Sequence, residues 1–359
     1  MTPTLADLRL RAAATSLTTQ GPLASVLATL GFVQADPIRA PARAQDLILR
    51  QRVPGYRAGQ LERRFPRLGL EEDFLYAYGF MPRETARLLH PRPDPVQPDR
   101  PHAPSGLAAE ILAVVRDRGE IHPRDLEEAF GRERAVNAWG GFSKETTQHL
   151  QVLHFHGHLR VLRRHDGIRV YGPAELPGEW LDAAERARLL LLLVLGLLAP
   201  ISRVSLGQVL NLLRRGAPGL GPWAPVLDQM IAGGEVTAEE VDGERYLWPT
   251  AAAVPEAPPR GLRFLAPFDP VVWDRRRFTH LWGWEYRFEA YTPPPLRRLG
   301  YYAMPMLWRD RVIGWVNLSR AGGRLDVERG FAATEPRGQD FTRAFDAEVA
   351  RFEAFLGPV

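Results

Sequence analysis

The chain has 359 residues, a length typical of two to three domains, and its 45% hydrophobic and 25% charged residues are ordinary for globular proteins. It contains no cysteine, which excludes disulfide frameworks, iron–sulfur clusters, cysteine zinc sites and thiol nucleophiles. Lys144 is the one lysine among 46 basic residues, and the arginines, together with a pI near 9.6, favour a polyanionic partner because arginine contacts phosphate in bidentate fashion.

The N-terminus does not have the pattern of a targeting segment. Asp7, Arg9 and Arg11 interrupt the apolar residues there, so there is no signal-peptide core, and we expect a cytoplasmic protein. The dense apolar run at 189–199 is shorter than the roughly 18 residues that a membrane span needs. It predicts a buried helix and no membrane partner.

Helical patterns come first along the chain, at 5–14, 22–30 and 42–52. A proline-rich linker follows from Pro91 to Pro104, where the prolines impose an extended backbone. The next module is predicted to have helices at 107–118, 123–129 and 143–157, the last with Ser143 as N-cap, and strands at 158–163 and 168–171 around Asp166-Gly167.

The segment that follows repeats this order of elements. Its predicted helices lie at 181–198, 205–213 and 223–232, and its strands at 236–240 and 244–248 around Asp242-Gly243. Three helices followed by a hairpin is the winged-helix pattern, and its recurrence indicates a repeated module.

After an Ala- and Pro-rich linker at 251–259, the hydrophobic period becomes two. Alternation predicts strands at 285–291, 304–308, 311–318 and 325–329, with turns at Arg309-Asp310 and Gly322-Gly323. A closing helix is predicted over 339–356, with Phe341, Phe345, Val349, Phe352 and Leu356 on its apolar face. The fold class is therefore α+β, with tandem winged-helix (helix-turn-helix) modules at 1–90, 105–173 and 180–250 and a β-rich unit at 260–359.

An amide and a carboxylate are spaced for joint action in Gln34-Ala35-Asp36-Pro37. Because Pro37 disfavours the helical region for Asp36, the stretch is expected to be extended, and residues two apart then project from one face. Asp followed by Pro is also a standard helix entry, with Asp36 as N-cap. From spacing alone, both interpretations stay open.

These residues, followed by Arg43 and by Leu49-Arg50-Gln51-Arg52-Val53-Pro54-Gly55-Tyr56, resemble the AlkZ/YcaQ-type DNA glycosylases. The block from Phe268 through Trp273 to Arg277, continued in 282–291 and 297–305, is similar to that family's C-terminal pattern. The resemblance implies tandem winged helices, a Gln-x-Asp catalytic motif at Gln34 and Asp36, and excision of alkylated bases from duplex DNA, including N7-alkylguanines within interstrand crosslinks. The Gln-x-Asp form is linked to the broader crosslink and alkylpurine branch.

The chemistry fits these residue types. An N7-alkylated purine is already cationic, so hydrolysis of its glycosidic bond passes through an oxocarbenium-like transition state that needs anionic stabilisation and a placed water. Asp36 can supply the negative charge and accept a proton, and Gln34 can orient the water or a phosphate oxygen. A lyase would need an amine, and only Lys144 and the N-terminus are available, which favours a monofunctional hydrolase without cofactor.

Arginines in the matching segments and the predicted turn are expected to bind DNA. They are Arg43, Arg50, Arg52, Arg275, Arg276, Arg277, Arg297, Arg298, Arg309 and Arg311. An arginine-bearing hairpin, 304–318 or its neighbour through Arg329, is expected to enter the groove beside Gln34 and Asp36.

Other interpretations are weaker. The histidines at 149, 154, 156 and 158 lack an obvious tetrahedral spacing, so no metal is predicted. A non-catalytic winged-helix regulator or architectural protein is the main alternative; regulators of this type usually dimerise, whereas a glycosylase is expected to act as a monomer. A third possibility is a protein-interaction module, which would leave its arginines salt-bridged.

Overall fold

The computed structural model describes residues 3–17, 20–97, 100–130, 134–136, 142–175, 181–252, 257–321 and 324–357. The turn predicted at Gly322-Gly323, Pro98 of the linker and residues 253–256 of the second linker lie outside this part of the chain. The structure mixes helices and sheets.

The helices are α1 (Leu5–Leu17), α2 (Leu23–Leu30), α3 (Ala44–Leu49), α4 (Gln60–Arg64), α5 (Arg83–Leu89), α6 (Gly106–Arg118), α7 (Pro123–Phe130), α8 (Glu145–Phe155), α9 (Ala183–Leu197), α10 (Arg203–Gly216), α11 (Trp223–Ala232), α12 (Pro270–Trp273), α13 (Arg275–Trp282) and α14 (Gln339–Leu356). Short 3₁₀ helices lie at Phe65–Arg67 and Pro294–Leu296.

The strands are β1 (Val33–Gln34), β2 (Leu70–Phe74), β3 (Tyr78–Pro82), β4 (Arg134–Val136), β5 (Phe142–Lys144), β6 (Leu159–His165), β7 (Ile168–Pro173), β8 (Ile201–Ser202), β9 (Val236–Val241), β10 (Glu244–Pro249), β11 (Leu262–Phe264), β12 (Met304–Trp308), β13 (Arg311–Ala321) and β14 (Arg324–Phe331).

The chain divides into two compact units. One consists of Met1–Leu61, Arg188–Leu210 and Trp223–Val359, and the other of Glu62–Ala187 and Asn211–Pro222. The four-module division stays a prediction.

Two stretches of the chain have the same order of elements. In the first, α6, α7 and α8 precede the hairpin β6–β7, and Ile121 bridges to Tyr171 on β7. In the second, α9, α10 and α11 precede the hairpin β9–β10, and β8 pairs with β10. Asp166 and Asp242 both have φ of 50° at the hairpin turns, a conformation that aspartate tolerates better than most residues.

Two local predictions are wrong. Ser143 is not a helix N-cap, because Phe142–Lys144 pairs with Arg134–Val136 and α8 begins only at Glu145. No strand forms over 285–291, where Tyr286 is buried without a neighbouring strand.

The C-terminal sheet is antiparallel, in the order β11-β12-β13-β14. Helix α1 packs one face against the core beside it, where Ala13 and Leu17 join Val272, Phe278 and Leu307. Its other face, with Leu8 and Ala12, joins a second core with Tyr246, Trp248 and Leu281. This packing brings the first helix of the chain to the core beside the C-terminal sheet.

Candidate active site

Gln34 and Asp36 lie at the end of β1 and in the loop that follows it. No helix begins at Pro37, since α3 starts only at Ala44, and the helix N-cap interpretation of Asp36 is therefore wrong. The Asp36 Oδ1 atom instead accepts a hydrogen bond of 2.9 Å from the backbone N–H of Ile38. Asp36 therefore lies in a loop, as the effect of Pro37 on the residue before it predicts.

The Gln34 amide is fixed by a residue 239 positions away. Trp273 donates its indole N–H to Gln34 Oε1 at 2.9 Å. This bond fixes the orientation of the amide, so the Nε2 donors of Gln34 face away from Trp273, and they have no hydrogen-bond partner among the described residues. The role of Trp273 was not predicted; its place in the Phe268–Arg277 block was the only signal for it.

Short helix α12 positions Trp273. Asp269 caps this helix, its Oδ1 accepting a 3.0 Å hydrogen bond from the Val271 N–H, and Pro270 occupies the first helical position. The Asp269 side chain in turn forms a buried ion pair with Arg52. A chain of contacts therefore runs from a buried ion pair to the amide of Gln34.

Asp36 has a partly desolvated carboxylate. Burial raises the pKa of Asp36, and the hydrogen bond from Ile38 opposes this shift. The Asp36 charge also contributes, after burial, to raising the pKa of Tyr291 and of Tyr302. The hydroxyl of Tyr302 is buried and has no partner among the described residues. The carboxylate thus lies in a half-buried, aromatic surrounding that suits stabilisation of a cation.

Arg52 is inside the protein, and the prediction that it binds DNA is wrong. Arg52 is 1% exposed. Its guanidinium forms a bidentate pair with Asp269, from Nη1 to Oδ2 at 2.7 Å and from Nη2 to Oδ1 at 3.0 Å. The Nε atom donates to the Ser16 carbonyl at 3.0 Å. A guanidinium held in this way cannot reach a phosphate.

Arg277 and Arg50 are also wrongly predicted as DNA contacts. Arg277 is 1% exposed and donates to the carbonyls of Leu198 and Val271. The Arg50 side chain is 4% exposed, pairs with Glu348 at 2.9 Å and lies over the Phe352 ring. On α14 the structure buries Glu348 and Phe355, whereas the predicted Val349 and Leu356 are half-buried.

Three of the predicted arginines do converge on one open cavity. Arg275, Arg276 and Arg298 line a cavity of about 810 Å³. Arg275 donates to the Pro267 carbonyl at 2.8 Å and Arg276 pairs with Glu244, whereas the Arg298 side chain is exposed and has no partner among the described residues. This arrangement suits contact with an anionic backbone.

The remaining arginines are more dispersed. Arg297 is half-buried, donates from Nε to the Thr292 carbonyl at 2.8 Å and stacks over Tyr301. Arg43 is half-buried and immediately precedes α3. Arg309 and Arg311 are exposed at the β12–β13 turn.

The β12–β13 turn is tied to helix α13. Trp282 donates its indole N–H to the Asp310 carbonyl at 2.8 Å, and Met304, Met306 and Leu307 are buried. The neighbouring hairpin, β13–β14, has a mostly exposed second strand and lines a cavity of about 530 Å³ together with Arg39, Ala40 and Pro41. Of the two hairpins, this one borders the loop after Asp36.

Within the described ranges, no group of three or more His, Asp or Glu side chains is arranged to hold a metal ion. No helix in this part of the chain combines the length and the apolar character needed to cross a membrane.

The comparisons with known proteins agree with the resemblance in the motifs. A family model described as DNA glycosylase AlkZ-like matches residues 27–355. A solved structure, the DNA glycosylase AlkZ of Streptomyces sahachiroi, is similar with a TM-score of 0.66 and 16% identity, covering 100% of this chain and 99% of that one. At this identity the likeness shows a shared fold. Because the family model spans the chain from before β1 into the last helix, the chain belongs to the AlkZ-like family of DNA glycosylases, enzymes of DNA repair.

Proposed function

We propose that this protein is a monofunctional DNA glycosylase that hydrolyses the N-glycosidic bond of N-alkylated purines, including N7-alkylguanines in interstrand crosslinks. The observation that carries the proposal is that a half-buried Asp36 carboxylate lies two residues after Gln34, whose amide is oriented by Trp273. Alkylation at N7 makes the base a cationic leaving group, so the enzyme need not protonate it. The protein has to stabilise the cationic sugar and deliver water.

Each side chain has one part in this mechanism. Asp36 stabilises the oxocarbenium-like sugar and takes a proton from the attacking water. Gln34 donates from Nε2 to that water or to a phosphate oxygen, because Trp273 holds its Oε1. The raised pKa of Asp36 makes it a better proton acceptor than an unperturbed aspartate.

The monofunctional assignment depends on the amines of the chain. A lyase reaction needs an amine nucleophile to form a Schiff base, and the sequence has one lysine, Lys144, besides the N-terminus. Because amines are this scarce, the abasic site is expected to be left intact. Neither Met1 nor the Lys144 side chain is among the described parts of the structure.

We further propose that the two repeated stretches, at 105–173 and 180–250, are winged helices and that the protein acts on duplex DNA as a monomer. The shared element order supports this proposal, as do the pairing of β8 with β10 in the second stretch and the isolated bridge from Ile121 to Tyr171 in the first. We propose that the β13–β14 hairpin enters the groove, since it borders the loop after Asp36. An element that approaches the nucleotide in place would suit a crosslinked base, which cannot be flipped without moving both strands.

The test is base excision from a duplex with a single N7-methylguanine, followed by heat cleavage of abasic sites. We expect excision by the wild-type protein, a loss on the order of 10² or more in rate for Asp36→Asn, and a smaller loss for Gln34→Ala. Duplex affinity should stay nearly unchanged in both variants. Duplex binding without excision by the wild type would instead support the non-catalytic regulator.

A duplex with an N7-linked interstrand crosslink tests the substrate range. Unhooking of the strands by the wild type, and not by Asp36→Asn, is the expected result. Excision of N7-methylguanine without unhooking would limit the function to alkylpurines that are not crosslinked to the opposite strand.

A further inference from the structure

The segment at 289–302, called the strap here, exposes an unusual set of apolar side chains. It lies between Phe288 and β12 in the chain and contains the short 3₁₀ helix Pro294–Leu296. Tyr291 is 78% exposed, Leu296 68% and Tyr301 43%. Single exposed apolar residues are common, whereas three within one short segment are unusual and make the strap a candidate interaction surface.

The strap is held rigidly from beneath. The buried Glu289 carboxylate accepts hydrogen bonds from the backbone N–H groups of Arg298, Leu299 and Gly300, at 2.8, 2.7 and 3.3 Å. Asn317 donates to the Leu299 carbonyl at 2.7 Å. The exposed side chains of the strap are thus presented on a fixed backbone, which lowers the entropy lost when they bind a partner.

Gly300 makes this close approach to β13 possible. Its φ is 108°, and a Cβ atom there would lie 2.2 Å from Asn317 Nδ2. A larger residue would push the strap away from β13.

The strap lies beside the candidate active site. The Phe288 ring contacts Tyr291 and Tyr302, with centroids 6.1 and 5.3 Å apart, and Tyr301 and Tyr302 line the 530 Å³ cavity with Arg39 and Pro41. The effect of the Asp36 charge on Tyr291 and Tyr302 is consistent with this position. On the other side, Leu296 and Arg298 line the 810 Å³ cavity with Arg275 and Arg276.

We propose that the strap is a stacking surface for duplex DNA, in which Tyr291 packs against a base next to the target nucleotide while Arg298 contacts a flanking phosphate. This inference rests on the proposed function. The occupant is DNA because the exposed Tyr291 and Tyr301 lie on either side of two arginines in the strap, a combination that binds bases and backbone together. Aromatic stacking tolerates any base sequence, as a repair enzyme requires.

The experiment measures stacking without catalysis. The duplex carries a tetrahydrofuran abasic analogue, which cannot be excised, with 2-aminopurine beside it as a fluorescent base. The proteins are wild type, Tyr291→Ala, Tyr291→Phe and the matched control Val96→Ala, whose side chain is 83% exposed outside the strap.

Wild type, Tyr291→Phe and Val96→Ala should quench the 2-aminopurine on binding. Tyr291→Ala should lose the quenching and bind this duplex roughly 10- to 100-fold more weakly, the range for one base–aromatic contact. Because Tyr291 is largely exposed, its loss should leave the thermal unfolding midpoint unchanged.

Equal quenching and affinity in Tyr291→Ala and wild type would overturn the proposal, and so would a change in self-association that appears without any change in DNA binding. Failure of the proposed function is a separate result, because it would appear as absent N7-methylguanine excision by the wild type whatever the strap does.

Discussion

The Gln34 amide is held at its oxygen by one indole N–H, and this determines which of its atoms can act on a substrate. An unrestrained glutamine amide can rotate, so that either its oxygen or its nitrogen faces the reacting atoms. With Oε1 bound to Trp273 at 2.9 Å, the nitrogen is the group that remains available. Trp273 is therefore a positioning residue.

Removal of the Trp273 indole N–H should lower excision. We expect Trp273→Phe to reduce the single-turnover rate by roughly 3- to 10-fold, the effect of one neutral hydrogen bond, with little change in duplex affinity. Trp282→Phe is the matched control, because Trp282 is also half-buried and donates its indole N–H to a carbonyl, that of Asp310. Equal rates for the two variants would contradict the positioning role.

The pH dependence of excision should report the raised pKa of Asp36. Because the mechanism needs the carboxylate, the rate rises with pH as Asp36 loses its proton. Burial raises this pKa, so the acid limb should lie at higher pH than an unperturbed aspartate would give. Single-turnover rates between about pH 3.5 and 8, corrected for spontaneous depurination, measure it. A rate that falls as pH rises through the acid range would be incompatible with Asp36 as the base.

Elements with their own local signals were predicted well. Helices α11 and α14 begin and end where the pattern placed them, and both Asp-Gly turns close hairpins. The prediction of a strand over 285–291 is wrong, because alternating apolar residues indicate only that alternate side chains are buried. An extended chain can have that pattern without pairing to a neighbouring strand. There the Tyr286 hydroxyl bonds the Ala303 carbonyl instead of forming part of a ladder.

Contacts between distant segments could not be predicted. The sequence identified Gln34 and Asp36 as candidates, but nothing local indicates that Trp273 reaches Gln34 or that Arg52 pairs with Asp269, 217 positions away. Arginine is usually exposed, so the arginines of the family-like segments are predicted to contact DNA. Burial of Arg52, Arg50 and Arg277 depends on partners that only the folded chain brings near.

Arg52 is expected to act on stability and on α12, and not on the electrostatics of DNA binding. Arg52→Ala should lower the free energy of unfolding by about 3–5 kcal/mol, because it leaves the Asp269 carboxylate buried without a counter-charge. Urea unfolding measures this loss. The dependence of DNA affinity on salt should keep its wild-type slope, and a flatter slope with unchanged stability would restore Arg52 as a phosphate contact.

At the scale of the whole molecule, the arginines form two populations. Arg50 and Arg52 are interior and paired with carboxylates, and Arg277 is interior and bonded to carbonyls, so none of the three can contact a phosphate at the surface. Others are exposed, among them Arg298, Arg309 and Arg311. The net charge of +4 therefore does not show where positive charge lies on the surface. The exposed arginines are the ones that can present it to DNA.

Salt should weaken DNA binding steeply, since each neutralised phosphate releases counterions. If about six phosphates are engaged, affinity should fall around 10³-fold between 50 and 200 mM salt. Arg297→Gln and Arg298→Gln together should flatten the slope of log affinity against log salt, with Arg298 contributing most because its guanidinium is exposed and the Arg297 Nε is already bonded to Thr292. The paired variant Arg337→Gln with Arg343→Gln, whose side chains are also exposed and line neither cavity, is the control and should keep the wild-type slope. Fluorescence anisotropy titrations of an undamaged duplex measure all three slopes, and an unchanged slope in the 297/298 variant would place both arginines away from the DNA.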